Sequence, residues 1–518
     1  MLKTESYKRG IVLSTGLNII VKAILFFNTI VIAYYFGTSI DTDLYFYIFS
    51  TITLIAALVN GMDLAVILPE GMHLQEEKGK HEAISFYNFF GFCYLLLGLL
   101  IFIILFFFSV PIYSSISSYK SPVLSGHSGL LLLSSILPLL IILSNYFTSV
   151  LTTLKYFTAP LIANGIAQVF GLLSLVIFHN KFGIVSVLIG MVAGYLLNLA
   201  LLLFFMYFKL GWHIGFSAKD VTKRVKKNLA SVQLGNMATF SFNYGIIVVL
   251  SALPVGVYSA YNYGIQVLNV PNNFIVSQAA AVAGIKFNEL SAKKLRDELN
   301  RIFLSSIDVL LFLIIPFCVL TFLYAGVIVD FLYLRGGFTK ESSEKVVFFL
   351  KYLIFLSPCY LINTFVSRIM TAEKKVSQSF LFQLGFNIGS LILIIFVTNF
   401  FKETGFVCAM LFAYYFLICV LSYFLFRWVM PYVDYLKSVR SLFLIILYNL
   451  PFLLIFYKLF DRHQSIPVFL MISVCYYAVV IITNHFIKIN KLADEYFSTL
   501  INVTRKIFLK EKTNNTID

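Results

Sequence analysis

CYLLLGLLIFIILFFFSV, Cys93 to Val110, carries no charged side chain. As a helix rising 1.5 Å per residue it would be about 27 Å long, close to the roughly 30 Å of a bilayer's hydrocarbon core. It lies inside a longer uncharged run between Glu82 and Lys120. Outward from it, similar apolar stretches recur from Ile11 to Lys488, separated by short polar breaks. About fourteen are long enough to span, near 11–36, 44–69, 84–110, 129–154, 159–178, 184–208, 229–252, 257–284, 302–329, 346–369, 379–400, 406–427, 441–460 and 467–487. The fold class is therefore an all-α polytopic membrane protein. With no sizeable soluble segment, its work has to be done among the helices, and transport comes before cytosolic chemistry.

Composition agrees. Mean hydropathy is +0.90 and 12% of residues are charged, values that exclude an ordinary soluble globule. A net charge of +15 could suit nucleic acid, but its placement does not. With Lys3, Lys8 and Arg9 inside and the spans alternating, most of the 39 lysines and arginines fall in cytoplasmic breaks. That is the positive-inside bias, which places both termini in the cytoplasm and favours an even number of spans. Leu13 to Phe36 is too long for a signal-peptide core and lacks a cleavage site, so it reads as a retained first span. The six cysteines all fall in apolar stretches, as small buried thiols do. No Cys/His spacing suggests zinc, and neither a metal nor a cofactor is expected.

The basic segment after the sixth span divides the chain into a six-helix lobe (1–208), a cytoplasmic amphipathic linker (209–228), a second six-helix lobe (229–440), two extra spans (441–487) and a cytoplasmic tail (488–518). Ser217 to Asn228 and Ser291 to Arg301 read as short surface helices, the first with Ser217 able to cap it. Leu492, Tyr496, Leu500, Val503 and Ile507 recur at helical spacing beside lysines and arginines, as on a helix lying against anionic lipid heads. Two equal bundles suggest a transporter built from a repeat, although the halves show no evident sequence identity.

Polar side chains inside apolar helices each need a reason, since a charge at mid-bilayer costs roughly 2.5–3.5 kcal/mol on insertion scales. Lys22 sits near the middle of the first span and should face a wet cavity or pair with an acid such as Asp63. Asp308 reads as an interior structural acid, and Lys351 as a side chain reaching for the interface. Asn28 shares roughly one side with Lys22. Asn236 and Asn243 share a face of the seventh span, Gln266 and Asn269 precede Pro271 on the eighth, and Gln383 and Asn387 share a face of the eleventh. Any one amide more often bonds helix to helix, but their spread over several spans points to a polar cavity. The expected substrate-binding set is Lys22, Asn28, Asp63, Gln266 and Asn269. Asn236, Asn243, Gln383 and Asn387 are candidates for a cation or for the cavity wall.

Three stretches resemble the MurJ (MviN) family of lipid II flippases, in the superfamily shared with polysaccharide flippases and multidrug antiporters. They are YYFGTSIDTDLYFYIF (Tyr34 to Phe49) with Asn60-Gly61 and Pro69-Glu70; YNYGIQVLNVP (Tyr261 to Pro271); and FLYLRGGFTKES (Phe331 to Ser342). The resemblance implies two lobes around a cavity, the last two spans flanking a groove for a lipid tail, and alternating access rather than bond chemistry. The chain is thus expected to be a transporter and not an enzyme, in a bacterial cytoplasmic membrane. It would move an undecaprenyl-diphosphate-linked saccharide with Na+, H+ or the membrane potential as driver; membrane lipids are partners and nucleic acid is not. The family's cavity arginines fall here on Lys22, Asn28, Ile55 or Ala56, and Gln266. Lysine offers phosphate a point charge where arginine offers a planar fork. An O-antigen, capsular or exopolysaccharide repeat-unit flippase is therefore the alternative substrate reading, and a cation-coupled multidrug exporter the rival transport class.

Reporter fusions after Thr42, Tyr119 and Thr339 are expected to read external, and one after Lys223 internal. Inverted readings at Thr339 and Lys223 would reject this topology.

Overall fold

A computed structural model describes residues 7–210, 212, 215, 219–459 and 465–495. In chain order the helices are α1 (Tyr7–Phe36), α2 (Ile40–Asn60), a π turn (Asp63–Ile67), α3 (Leu68–Lys78), α4 (Lys80–Ile116), α5 (Ser121–Gly126), α6 (Ser128–Thr153), α7 (Thr158–Phe182), α8 (Val185–Leu210) and α9 (Lys223–Ser251). They continue as α10 (Val257–Pro271), a second π turn (Asn272–Val276), α11 (Ser277–Ala292), α12 (Arg296–Leu323), α13 (Ala325–Tyr333), α14 (Lys340–Leu353), α15 (Leu356–Ala372) and α16 (Val376–Phe412). A third π turn (Ala413–Leu417), α17 (Ile418–Val429), α18 (Tyr435–Leu459) and α19 (Ile466–Ile487) complete the order. No strand occurs among the described residues.

Every predicted apolar stretch falls on helix. By length and hydropathy alone eleven helices among the described residues can cross a membrane, or twelve if α14 and α15, bent by 48°, form one span. Two features separate that count from fourteen. The eighth stretch, α10 and α11, is not among the helices long and apolar enough to cross. The eleventh and twelfth merge into one helical run, Ser377–Val429. Its 53 residues would extend about 80 Å, far beyond one crossing, and Lys402 reverses the backbone within it at φ 50° and ψ −131°.

The chain forms two compact units, residues 1–262 with 333–342, and residues 263–332 with 343–518. In the first unit α7 and α8 pack most extensively. Gly190 and Gly194, one turn apart on α8, make that approach possible: a Cβ at Gly190 would lie 2.3 Å from the Phe170 carbonyl oxygen, and one at Gly194 2.7 Å from Ala167 Cα. Small residues four apart let membrane helices meet backbone to backbone. Ser174 adds a hydrogen bond to the Ser186 carbonyl at 2.7 Å.

In the second unit α12 is the central post, carrying α15 on one side and α18 on another. The end of α19 is tied to it through amides. Asn484 bonds the backbone of Asn490 in both directions at 2.8 and 2.9 Å, and Asn490 Nδ2 donates to the Asp308 carbonyl at 2.9 Å. Tyr476 donates to Asn449 across α18 and α19 at 3.1 Å. Lys351 lies over the Phe322 ring at 4.9 Å.

Helix ends show a recurring device. Among the described residues, the non-glycine positions with positive φ are all lysines: Lys155, Lys294, Lys374, Lys402 and Lys488. At the first three the bonding is identical. Lys155 donates to Thr152 and Tyr156 to Leu151; Lys294 to Ser291 and Leu295 to Leu290; Lys374 to Thr371 and Lys375 to Met370. This is the paired bonding that closes a helix C-terminus, a place usually given to glycine.

Two expected surface helices are not separate. Thr222 caps α9, accepting from Val225 N–H at 3.3 Å, and the helix runs from Lys223 into the seventh span without a break. Likewise Arg296 starts α12, which continues into the ninth. In both cases no proline separates the charged turns from the apolar ones. Ser217 and the tail from Tyr496 onward lie outside the described residues.

Gly194→Leu is expected to force α7 and α8 apart and, as an overpacking change costing at least about 1–3 kcal/mol, to lower the thermal midpoint of detergent-purified protein. Gly129→Ala, with nothing within 4 Å of the added carbon, should leave the midpoint unchanged.

Candidate substrate and gating site

Of the residues expected to form the site, Lys22, Asn28, Asp63, Asn236 and Asn243 lie in the first unit; Gln266, Asn269, Gln383 and Asn387 lie in the second. Lys22 is half-buried on α1. Asn28 is buried, and its amide nitrogen donates to the Gln168 carbonyl on α7 at 3.1 Å. It therefore ties the first span to the fifth. Asn243 is half-buried and donates to Thr239 on its own helix at 2.9 Å. Gln266, Asn269 and Gln383 are half-buried, and Asn387 is buried.

Asp63 is 1% exposed. It is held by Tyr94, whose hydroxyl donates to Oδ1 at 2.6 Å, and by Asn60 Nδ2, which donates to Oδ2 at 3.1 Å. The expected pairing with Lys22 is thus replaced by two neutral donors. Asn60 also bonds the Ile142 carbonyl at 3.1 Å and accepts from Asn145 at 3.4 Å, so the cluster joins α2, α4 and α6. Asn236 reaches the same turn from α9: a Cβ on Gly61 would stand 2.2 Å from its Nδ2.

Sequence reasoning missed a second cluster, at the other end of α2. Asp43 is 2% exposed, and its two oxygens accept the Gly256 N–H at 2.6 Å and the Ser259 N–H at 2.7 Å. These N–H groups belong to the first turn of α10, where a helix has no internal partners for them. A carboxylate there also complements the helix dipole. Beside it the loop 333–342 lies on the end of α1. Gly337 N–H donates to the Tyr34 carbonyl at 2.7 Å, and Thr38 and Ser342 hydroxyls meet at 2.7 Å. Three glycines in the left-handed region allow the contact. Added Cβ atoms at Gly37, Gly256 and Gly336 would lie 2.7, 2.8 and 2.5 Å from backbone oxygens of Gly337, Thr38 and Tyr34. The sequence signals were FGTSIDTD and RGGFTKES, noticed for their resemblance but not for this geometry.

Near this cluster His127 bonds the Val123 carbonyl through Nδ1 at 2.7 Å and Asp41 Oδ1 through Nε2 at 2.8 Å. Both partners are acceptors, so both bonds require the doubly protonated ring. Burial opposes the charge most strongly, but the two acceptors outweigh it and the His127 pKa is raised above its ordinary value. A raised folded-state value makes the contribution complete below the unfolded pKa and lost as pH rises through the folded one.

Beyond the π turn, α3 is fastened by charges. Lys78 meets Asp220 at 2.5 Å, and Arg224 holds both oxygens of Glu70 at 3.0 and 3.1 Å. Trp212 stacks on Tyr87 and donates to Asn88 Oδ1 at 2.6 Å, while Asn88 donates to the Gly215 carbonyl at 2.9 Å. Trp212 and Gly215 are thereby held against α4, and Asp220 and Arg224 against α3.

A multi-pass helical bundle of this topology, with broken spans and polar clusters inside it, belongs to the class of membrane transporters. The family described as lipid II flippase MurJ matches residues 32–494, and the chain belongs to that family. It is 25% identical over 403 residues, 76% of this chain and 78% of the relative, to a protein of Borreliella burgdorferi (strain ATCC 35210 / DSM 4680 / CIP 102532 / B31) named probable lipid II flippase MurJ. A solved lipid II flippase MurJ in an inward closed conformation superposes with a TM-score of 0.77 at 19% identity, over 92% of this chain and 100% of that one. An inward-facing multidrug resistance MATE transporter of the MOP superfamily shares the fold at a TM-score of 0.61 and 11% identity, over 86% and 100%.

Asp43→Ala is expected to strand two buried N–H groups and cost on the order of 2–5 kcal/mol, read as a fall in thermal midpoint. Asp43→Asn, which keeps one acceptor, should lose less; equal midpoints for all three proteins would overturn the capping role.

Proposed function

We propose that this protein moves an undecaprenyl-diphosphate-linked saccharide of the lipid II kind across the bacterial cytoplasmic membrane by alternating access, both termini facing the cytoplasm. The observation that carries this reading is the family match over residues 32–494, which takes in all three motif stretches from near their start. No bond is made or broken; the work is to carry a charged head past hydrocarbon while the polyprenyl tail stays in lipid.

Within this reading Lys22 is the cationic contact for the diphosphate. Asn28 is committed to the Gln168 carbonyl, and Ala56, one of the two positions where the family's second-span arginine falls, is buried and apolar. A charge-assisted donor is what phosphate oxygens bind best. The outer cluster of Asp43 and the three glycines then acts as a latch that opens to release the head. The tail follows α18 and α19, whose outward side chains, among them Leu447, Leu454, Met471 and Val474, are apolar and exposed.

Lys22→Ala is expected to slow flipping of a fluorescent undecaprenyl-diphosphate disaccharide in proteoliposomes by about 10- to 100-fold, the loss of one hydrogen-bonded charge. Lys22→Arg should retain activity. Normal transport by properly inserted Lys22→Ala would remove the assignment.

A further inference from the structure

Asp63 is a carboxyl group sealed inside the first unit at the first residue of a π turn. Such turns recur at functional positions because they leave the helical ladder out of register. Here the ladder changes partner at this residue: Leu68 N–H bonds the Asp63 carbonyl, five residues back. A buried carboxylate without a counter-cation loses several kcal/mol of solvation, and two neutral donors restore only part of it.

The groups facing Asp63 define what it can bind. From its own helix comes the Asn60 amide; from α4, the Tyr94 hydroxyl with Cys93 beside it; from α6, Tyr146, whose ring packs edge-on to Tyr94 at 5.0 Å, and Asn145 behind Asn60. α9 presents Asn236 beside Gly61. Among the described residues this set holds no lysine, arginine or second carboxylate, and no cluster of three acidic, histidine or cysteine side chains suits a metal ion. The carboxyl oxygens face N–H and O–H donors. A sodium ion would need converging oxygens in their place, whereas a proton needs one oxygen and one acceptor.

Tyr94 supplies that acceptor. Its hydroxyl oxygen is 2.6 Å from Asp63 Oδ1 and 3.4 Å from the Val59 carbonyl. We propose that Asp63 is a proton-binding site, with Tyr94 as the hydroxyl that changes partner when the proton arrives. A proton from water adds to Oδ1, the new O–H donates to Tyr94 Oη, and the Tyr94 proton turns to the Val59 carbonyl. No other bond changes. The ionised form pins the π turn to α4 and α6 with charge-assisted bonds. The protonated form holds it with neutral ones, roughly half as strong. Proton binding thus sets how firmly the bend in the second span is clamped. Its link to transport, though not the site itself, rests on the flippase reading.

The test is infrared difference spectroscopy of the full chain in lipid nanodiscs, titrated from about pH 5 to about pH 9. Expected is a protonated-carboxyl C=O band that changes with pH and shifts in D2O, is absent in Asp63→Asn and remains in Asp308→Asn. Tyr94→Phe should move its frequency, because the carboxyl loses its hydroxyl partner; this variant keeps the test valid if Asp63→Asn fails to fold. A spectrum identical in wild type and Asp63→Asn overturns the proposal, as does a response to sodium but not to pH. Flipping assays on the same proteins separate the two readings. A titrating Asp63 band in a protein that moves no lipid-linked saccharide retains the proton site and removes the flippase. Normal flipping without the band removes only the proton site.

Discussion

In hydrocarbon every backbone N–H and C=O must find a partner within the protein, and most local features of this fold answer that demand where a helix is interrupted. The first turn of α10 has its orphan N–H groups taken by Asp43. Helices ending at Lys155, Lys294 and Lys374 fold their last carbonyls back onto the following N–H groups. Where α2 passes into α3, the π turn keeps its ladder bonded with a five-residue step. The substitute partner is a buried carboxylate in the first case and backbone in the other two.

The two ends of the helical run from Ile40 to Lys78 are held by different physics. At the Asp43 end the bonds are short, buried and directed at backbone, and the chains approach at glycines that leave no room for a side chain. At the other end the fastening is largely exposed ion pairs, with Arg224 and Lys78 reaching into solvent. Exposed pairs contribute about 0–1 kcal/mol and weaken with salt. The first kind of contact is made or broken as a unit, the second loosens by degrees. Between them, in the π turn, sits Asp63, neither dry backbone contact nor surface pair but a buried acid held by two neutral side chains.

The helices themselves could be read from the sequence, because membrane length and hydropathy are local properties. CYLLLGLLIFIILFFFSV lies within one 37-residue helical run that is kinked near its end at Phe108 (φ −123°, ψ 17°). Interruptions were harder. Pro271 immediately precedes the second π turn, whereas the first follows Asn60-Gly61 with no proline before it. The candidate site divided in the same way. Lys22 and Asp63 stood out by charge, but an amide's partner is a matter of three-dimensional neighbours. Asn28 meeting Gln168, or Asn60 meeting Asp63 and Ile142, leaves no trace in spacing. π turns interrupt the second, eighth and twelfth stretches, and the same lysine terminator closes the fourth, eighth and tenth, patterns that spacing did not signal.

Those lysines carry two duties that a protein engineer would set against each other. A left-handed lysine at a helix end is strained by about 1 kcal/mol relative to glycine, so glycine would be the stabilising replacement at Lys155, Lys294 or Lys374. Each of these also lies in a break assigned to the cytoplasm, where its ammonium helps decide which way the helices insert. Under that assignment the strain in the folded state goes with a role in orienting the chain as it enters the membrane. A library screened for thermal stability alone would erase it, enriching variants that are firmer once folded but less certain of their orientation.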